Sequence, residues 1–95
     1  MNQYELLFIV DPKLPEEELN SLQDRLTALI TSNQGEIVST DTMGIRRLTF
    51  PIKKLDEGRY LLLYFKSAPA LIPILDKQMK LLQQVMRFII VKQEV

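Results

Sequence analysis

The stretch EIVSTDTMGIRRLTFPIKKLDEGRYLLLYF, residues 36–65, decides the fold. Glu36 to Pro51 is rich in Val, Thr, Ile and Phe, residue types that suit a pleated strand, and Met43-Gly44 interrupts it where a bend or bulge is expected. Asp56-Glu57-Gly58 reads as a turn, with Lys53 and Lys54 in the same connection. Arg59 to Lys66 then supplies the run Tyr60-Leu61-Leu62-Leu63-Tyr64-Phe65, which pairs with the first segment as an antiparallel hairpin.

Outward from this hairpin, each flank carries one more helix and one more strand. On the N-terminal side Tyr4 to Val10 is apolar apart from Glu5, and Asp11-Pro12 closes the run. Pro15 with Glu16, Glu17 and Glu18 reads as a helix start: proline needs no donor there, and the carboxylates face the positive end of the macrodipole. Leu19, Leu22, Leu26, Leu29 and Ile30 make one apolar stripe, and Asn33-Gln34-Gly35 supplies the stop. On the C-terminal side Leu71, Ile74, Leu75, Met79 and Leu82 repeat at helical spacing. Pro69 and Pro73 place the helix start near Ala70, because proline is tolerated only in a first turn. Met86 to Lys92, centred on Phe88-Ile89-Ile90-Val91, is the last strand.

The order is β-α-β-β-α-β over residues 1–95, an α+β class read as one domain. Right-handed crossovers fold it into a four-stranded antiparallel sheet with two helices on one face, the first and last strands at the sheet centre or beside it. That plan leaves the other face bare. A half-buried strand carries polar residues on one parity, yet Leu7 and Ile9 are apolar just as Leu6, Phe8 and Val10 are. The third and fourth strands repeat the pattern. Central strands rich in β-formers, with ordinary isolated apolars exposed, are one reading of this; the sharper one is a protein partner over the open face, with Leu7, Ile9, Leu61, Leu63, Ile89 and Val91 as its apolar contacts and Arg46 and Arg47 beside them.

Composition narrows the function. Histidine and cysteine are both absent, which removes the usual general base and thiolate chemistry; neither a metal site nor a cofactor is expected. The carboxylates Glu16 to Glu18 are explained as a helix first turn, and the three glycines stand apart, forming no phosphate-cradling loop. Twelve basic residues balance twelve acidic ones, so binding to a polyanion must use local charge. The candidates are Arg46, Arg47, Lys53, Lys54, Arg59, Arg87 and Lys92, and charges on strands near an edge also discourage aggregation. The apolar run Leu6 to Val10 is too short to span a bilayer and lacks a basic leader before it, so a cytoplasmic protein without membrane association is expected.

Tyr4-Glu5, Gly44-Ile45-Arg46-Arg47-Leu48 with Phe50-Pro51-Ile52, Gly58 before an aromatic strand, and Val85-Met86-Arg87-Phe88 followed by Val91-Lys92 together resemble one family. It is that of the sixth protein of the bacterial small ribosomal subunit. The resemblance runs from Tyr4 to Lys92, and residues 44–52 are its most specific part. It implies a ferredoxin-like fold, no catalysis and no small-molecule substrate. It also implies binding to small-subunit ribosomal RNA together with the eighteenth small-subunit protein as a heterodimer. By position it makes Tyr4, Arg46, Arg47, Lys53, Lys54, Arg87 and Lys92 the expected RNA contacts. Asn2 and Gln3 stand where relatives often carry basic residues, and the chain stops at Val95 where many relatives continue; both departures are expected to weaken contacts near the termini.

The competing reading is a ligand-sensing or oligomerisation module of the same fold that hides its sheet face by self-association. An acylphosphatase-like enzyme would need an anion-cradling loop with arginine after the first strand, where this chain has Asp11-Pro12-Lys13-Leu14-Pro15.

Overall fold

The computed structural model describes the backbone of residues 1–52 and 55–93, and the side chains of 1–48 and 55–93. The elements are β1 (Asn2–Val10), α1 (Glu16–Ser32), β2 (Glu36–Ile52), β3 (Leu55–Ser67), α2 (Leu71–Leu81) and β4 (Val85–Gln93). The strands form one antiparallel sheet in the order β2-β3-β1-β4. Each crossover helix carries the chain past a neighbour, so β1 and β3 occupy the centre and β2 and β4 the edges. The expectation that the last strand lies at or beside the centre is therefore met only in its second form: β4 is an edge strand against central β1.

Alternation along β1 decides which residues meet the helices. Tyr4, Leu6, Phe8 and Val10 are buried on one parity, facing Leu19, Leu22, Leu26 and Ile30 of α1 and Leu71, Leu75 and Met79 of α2. Cross-strand register carries the parity outward. Leu6 pairs with Leu63 and Ile90, Phe8 with Leu61 and Phe88, and Tyr4 with Phe65. The Tyr4 and Phe65 rings stack with centroids 5.5 Å apart at 25°, an offset geometry favoured by aromatic quadrupoles.

Helix α1 ends in a Schellman turn. The Gly35 N–H donates to the Ile30 carbonyl at 2.8 Å and the Gln34 N–H to the Thr31 carbonyl at 3.1 Å, with Gln34 in the left-handed region at φ 67°. Glycine is thus placed one residue beyond the position whose dihedral favours it. Its own reason is steric: a Cβ on Gly35 would lie 2.6 Å from Ile30 Cγ2 and 2.9 Å from the Ile30 carbonyl oxygen. At the start of α2, Leu71 donates to the Ala68 carbonyl and Ile72 to that of Pro69, so Pro73 falls within the first turn as its missing donor requires.

The hairpin departs from its sequence reading at the turn. Asp56-Glu57-Gly58 lies inside β3, because Leu55 already pairs with Ile52, Glu57 with Arg47 and Gly58 with Arg46. The run resembles a turn but continues the strand of a long two-stranded arm, with Asp56 and Glu57 exposed and Gly58 buried at its base. Strand β2 shifts register between Ile37 and Ser39 and again between Thr42 and Gly44, where Gly44 takes φ 84°. The bulge read at Met43-Gly44 is present.

Leu6→Ala is expected to lower unfolding free energy by about 2–5 kcal/mol, because the side chain is fully buried and its void cannot collapse. Ile89→Ala, on the opposite parity and 53% exposed, should cost less than about 1 kcal/mol in the same urea titration. Gln34→Gly should raise stability by about 1 kcal/mol by removing a left-handed side chain. Gly35→Ala should lower it by about 1–3 kcal/mol by crowding Ile30.

Candidate protein and nucleic-acid interface

The face of the sheet away from the helices is built by Gln3, Glu5, Leu7 and Ile9 of β1 and their cross-strand partners. Leu7 pairs with Leu62 and Ile89, Glu5 with Tyr64 and Val91, and Ile9 with Tyr60 and Arg87. On the β2 side Asp41 lies opposite Leu62, Gly44 opposite Tyr60 and Arg46 opposite Gly58. Ile89 is 53% and Val91 42% exposed, while Leu7, Leu62, Tyr60 and Tyr64 are half-buried. The result is a contiguous apolar surface without a second layer.

Ile9, expected to meet a partner, differs from its neighbours on this face in being buried, at 8% exposure. Gly58 explains it: a Cβ there would collide with Ile9 Cγ2 and come 3.4 Å from Leu48 Cδ2. The bare backbone of β3 lets Ile9 seat against the base of the hairpin arm, with Leu48 alongside.

Three expected site residues prove to be core residues. Leu61 and Leu63, expected to meet a partner, are 1% and 5% exposed on the helix-covered parity. Tyr4, expected to meet RNA, is buried against Phe65, and its hydroxyl accepts a hydrogen bond from Asn2 Nδ2 at 3.2 Å. These three are corrected to structural roles. Consecutive leucines give no periodicity, so the odd positions of β3 could not be told from the even ones by hydrophobicity alone. The open-face residues missed are Tyr60, Leu62 and Tyr64, with Leu48. A signal was present in Gly58 and Lys66, which share the even parity and suit a dry core poorly.

The basic residues are divided rather than gathered. Arg46 and Arg87 lie on the open-face parity at one end of the sheet, across from Gly58 and Ile9. Arg47, opposite Glu57, and Lys92, opposite Tyr4, take the reverse parity. All four are exposed, and among the described residues the ion pair within 4.0 Å is Lys80–Asp76, leaving these cations without a carboxylate partner. Arg59 donates to the Pro12 carbonyl at 3.4 Å, holding the β1–α1 loop against the arm. Lys53 and Lys54 lie outside the described residues. An exposed apolar surface beside unpaired guanidinium groups can hold a protein and touch phosphate.

The family model described as ribosomal protein S6 matches residues 3–92. The chain belongs to the ribosomal protein S6 family. It is 42% identical over 94 residues to small ribosomal subunit protein bS6 of Campylobacter concisus, covering 99% of this chain and 68% of that one. With bS6 of Heliobacterium modesticaldum it shares 37% over 94 residues, covering 99% and 98%. The crystal structure of 30S ribosomal protein S6 from Thermotoga maritima superposes with a TM-score of 0.89 at 29% identity, over 97% of this chain and 87% of that one. The expected β-α-β-β-α-β fold is therefore that of S6. The S6 family is structural rather than enzymatic, a component of the small subunit of the cytoplasmic ribosome in bacteria.

Replacing Arg46 and Arg47 together with Val should join residues 45 to 50 of edge strand β2 into an uncharged β-prone run. Light scattering at matched concentration should show faster aggregation than for the parent chain, and equal solubility would remove any gatekeeping role.

Proposed function

We propose that this chain binds small-subunit ribosomal RNA jointly with the eighteenth small-subunit ribosomal protein. The open sheet face takes the protein, and the arginines at its end take RNA phosphate. The observation that carries the reading is the apolar patch of Leu7, Leu62, Ile89 and Val91 bordered by the exposed Arg46 and Arg87, which have no carboxylate within 4.0 Å among the described residues. Apolar surface of this kind favours a protein partner. Guanidinium groups suit bidentate contact with phosphate and position a protein without reading sequence. Ile9 contributes at the edge of the patch through what little of it is exposed. Arg47 and Lys92, on the reverse parity, would reach RNA only where it wraps a sheet edge, and Lys53 and Lys54 join the same proposal from the arm's connection.

The charge balance supports joint rather than solitary binding. Affinity for folded RNA grows with the number of phosphates neutralised, and a chain whose twelve basic residues are matched by twelve acidic ones and spread over both sheet faces presents few cations together to a phosphate backbone. RNA affinity measured with and without the eighteenth protein tests this. The mixture should bind the small-subunit RNA at least about tenfold more tightly than either protein alone. Equal affinity of the isolated chain would overturn the cooperative reading, and a stable homodimer in sedimentation with its sheet face covered would favour the self-associating module. In the assembled complex, Arg46→Ala with Arg87→Ala should reduce the slope of log affinity against log salt by about two.

A further inference from the structure

We propose that Glu5 selects the protein that docks on the open sheet face by requiring a cationic side chain, Arg or Lys, directly above it. This rests on the reading that the face takes a protein partner. Glu5 lies in the middle of the sheet, paired with Tyr64 on one side and Val91 on the other, with Leu7 next along the same face of β1. It is a carboxylate at the border of the apolar surface, with Leu7 on one side along the strand and the polar row of Gln3, Lys66 and Gln93 on the other. Its Oε2 accepts a hydrogen bond from Gln93 Nε2 at 2.8 Å, and among the described residues no lysine or arginine nitrogen comes within 4.0 Å. The nearest cation on this face is exposed Lys66, opposite Gln3 and so diagonal to Glu5 at roughly 7–8 Å between backbones, but it forms no ion pair with Glu5 within 4.0 Å; Arg87, level with Ile9, is roughly 13 Å away.

In the free protein Glu5 is half-buried, with the rest of its carboxylate open to solvent. A partner that covers Leu7, Val91 and Tyr64 removes that solvent. One neutral amide does not compensate an ionised carboxylate, and burying the charge unpaired costs several kcal/mol. An apolar partner surface at this point is therefore rejected, and one carrying Arg or Lys is accepted, a discrimination made by penalty as much as by attraction. The same carboxylate repels phosphate, which assigns the centre of the face to protein and leaves RNA to its end. Asp41, on edge strand β2, is exposed and keeps its solvent, so it makes no comparable demand.

Dissociation constants of the eighteenth small-subunit protein for the parent chain, Glu5→Gln and Ile89→Asp, measured by calorimetry at two salt concentrations, test this. Glu5→Gln keeps the side-chain size and a hydrogen-bonding oxygen but removes the charge. It should bind about tenfold or more weakly, with a shallower salt dependence. If the partner brings no cation, Glu5→Gln binds as well as the parent or tighter, because the desolvation penalty has gone, and the proposal fails. Ile89→Asp, on the exposed part of the same face, should weaken binding strongly. Weak binding by Ile89→Asp with parent-like binding by Glu5→Gln overturns the Glu5 assignment alone. Parent-like binding by Ile89→Asp overturns the docking face and the assignment with it.

Discussion

The register of β1 between β3 and β4 is the constraint on which the rest of the structure depends. One strand with a period of two sends Tyr4, Leu6, Phe8 and Val10 beneath the helices and Glu5, Leu7 and Ile9 to the open side. A slip by one residue would exchange the two sets and place the Glu5 carboxylate under α1 and α2. That penalty specifies the register, because the apolar residues alone would tolerate either arrangement. The charge that makes Glu5 awkward on an apolar face also keeps the strand from sliding.

Much of this was legible in the residues. The β-α-β-β-α-β order, the leucine stripe of α1, the proline-limited start of α2 and the bulge at Gly44 all follow from local chemistry, since spacing, capping and backbone freedom act within a few residues. What was not legible depends on pairing between distant segments. The parity of β3 is invisible in Leu61-Leu62-Leu63 and becomes defined only when Leu6 lies opposite Leu63. Tyr4 looked like a surface aromatic because its stacking partner, Phe65, is about sixty residues away along the chain. The turn was misplaced because Asp56-Glu57-Gly58 has turn composition but continues a strand whose outer part is wet.

The candidate site was legible in kind and not in detail. Surplus apolar residues on the strands imply a second apolar face, and that face exists. Its membership, however, includes Leu48, Leu62 and the two half-buried tyrosines of β3 in place of Leu61 and Leu63. The arginine pair 46–47 shows the same limit. Adjacent in sequence, the two residues are sent to opposite faces by the strand's alternation, so only Arg46 stands beside the apolar patch. The twofold period of a strand separates sequence neighbours and joins residues that no motif places together.

The contact between Ile9 and Gly58 ties the body of the sheet to the hairpin arm through a single shared volume. Position 58 cannot vary independently of position 9: the space a methyl group would take at 58 is the space Ile9 now fills, so any gain at 58 demands a loss at 9. The coupling runs one way: a side chain at 58 fits only where residue 9 has become smaller, whereas a smaller residue at 9 asks nothing of 58.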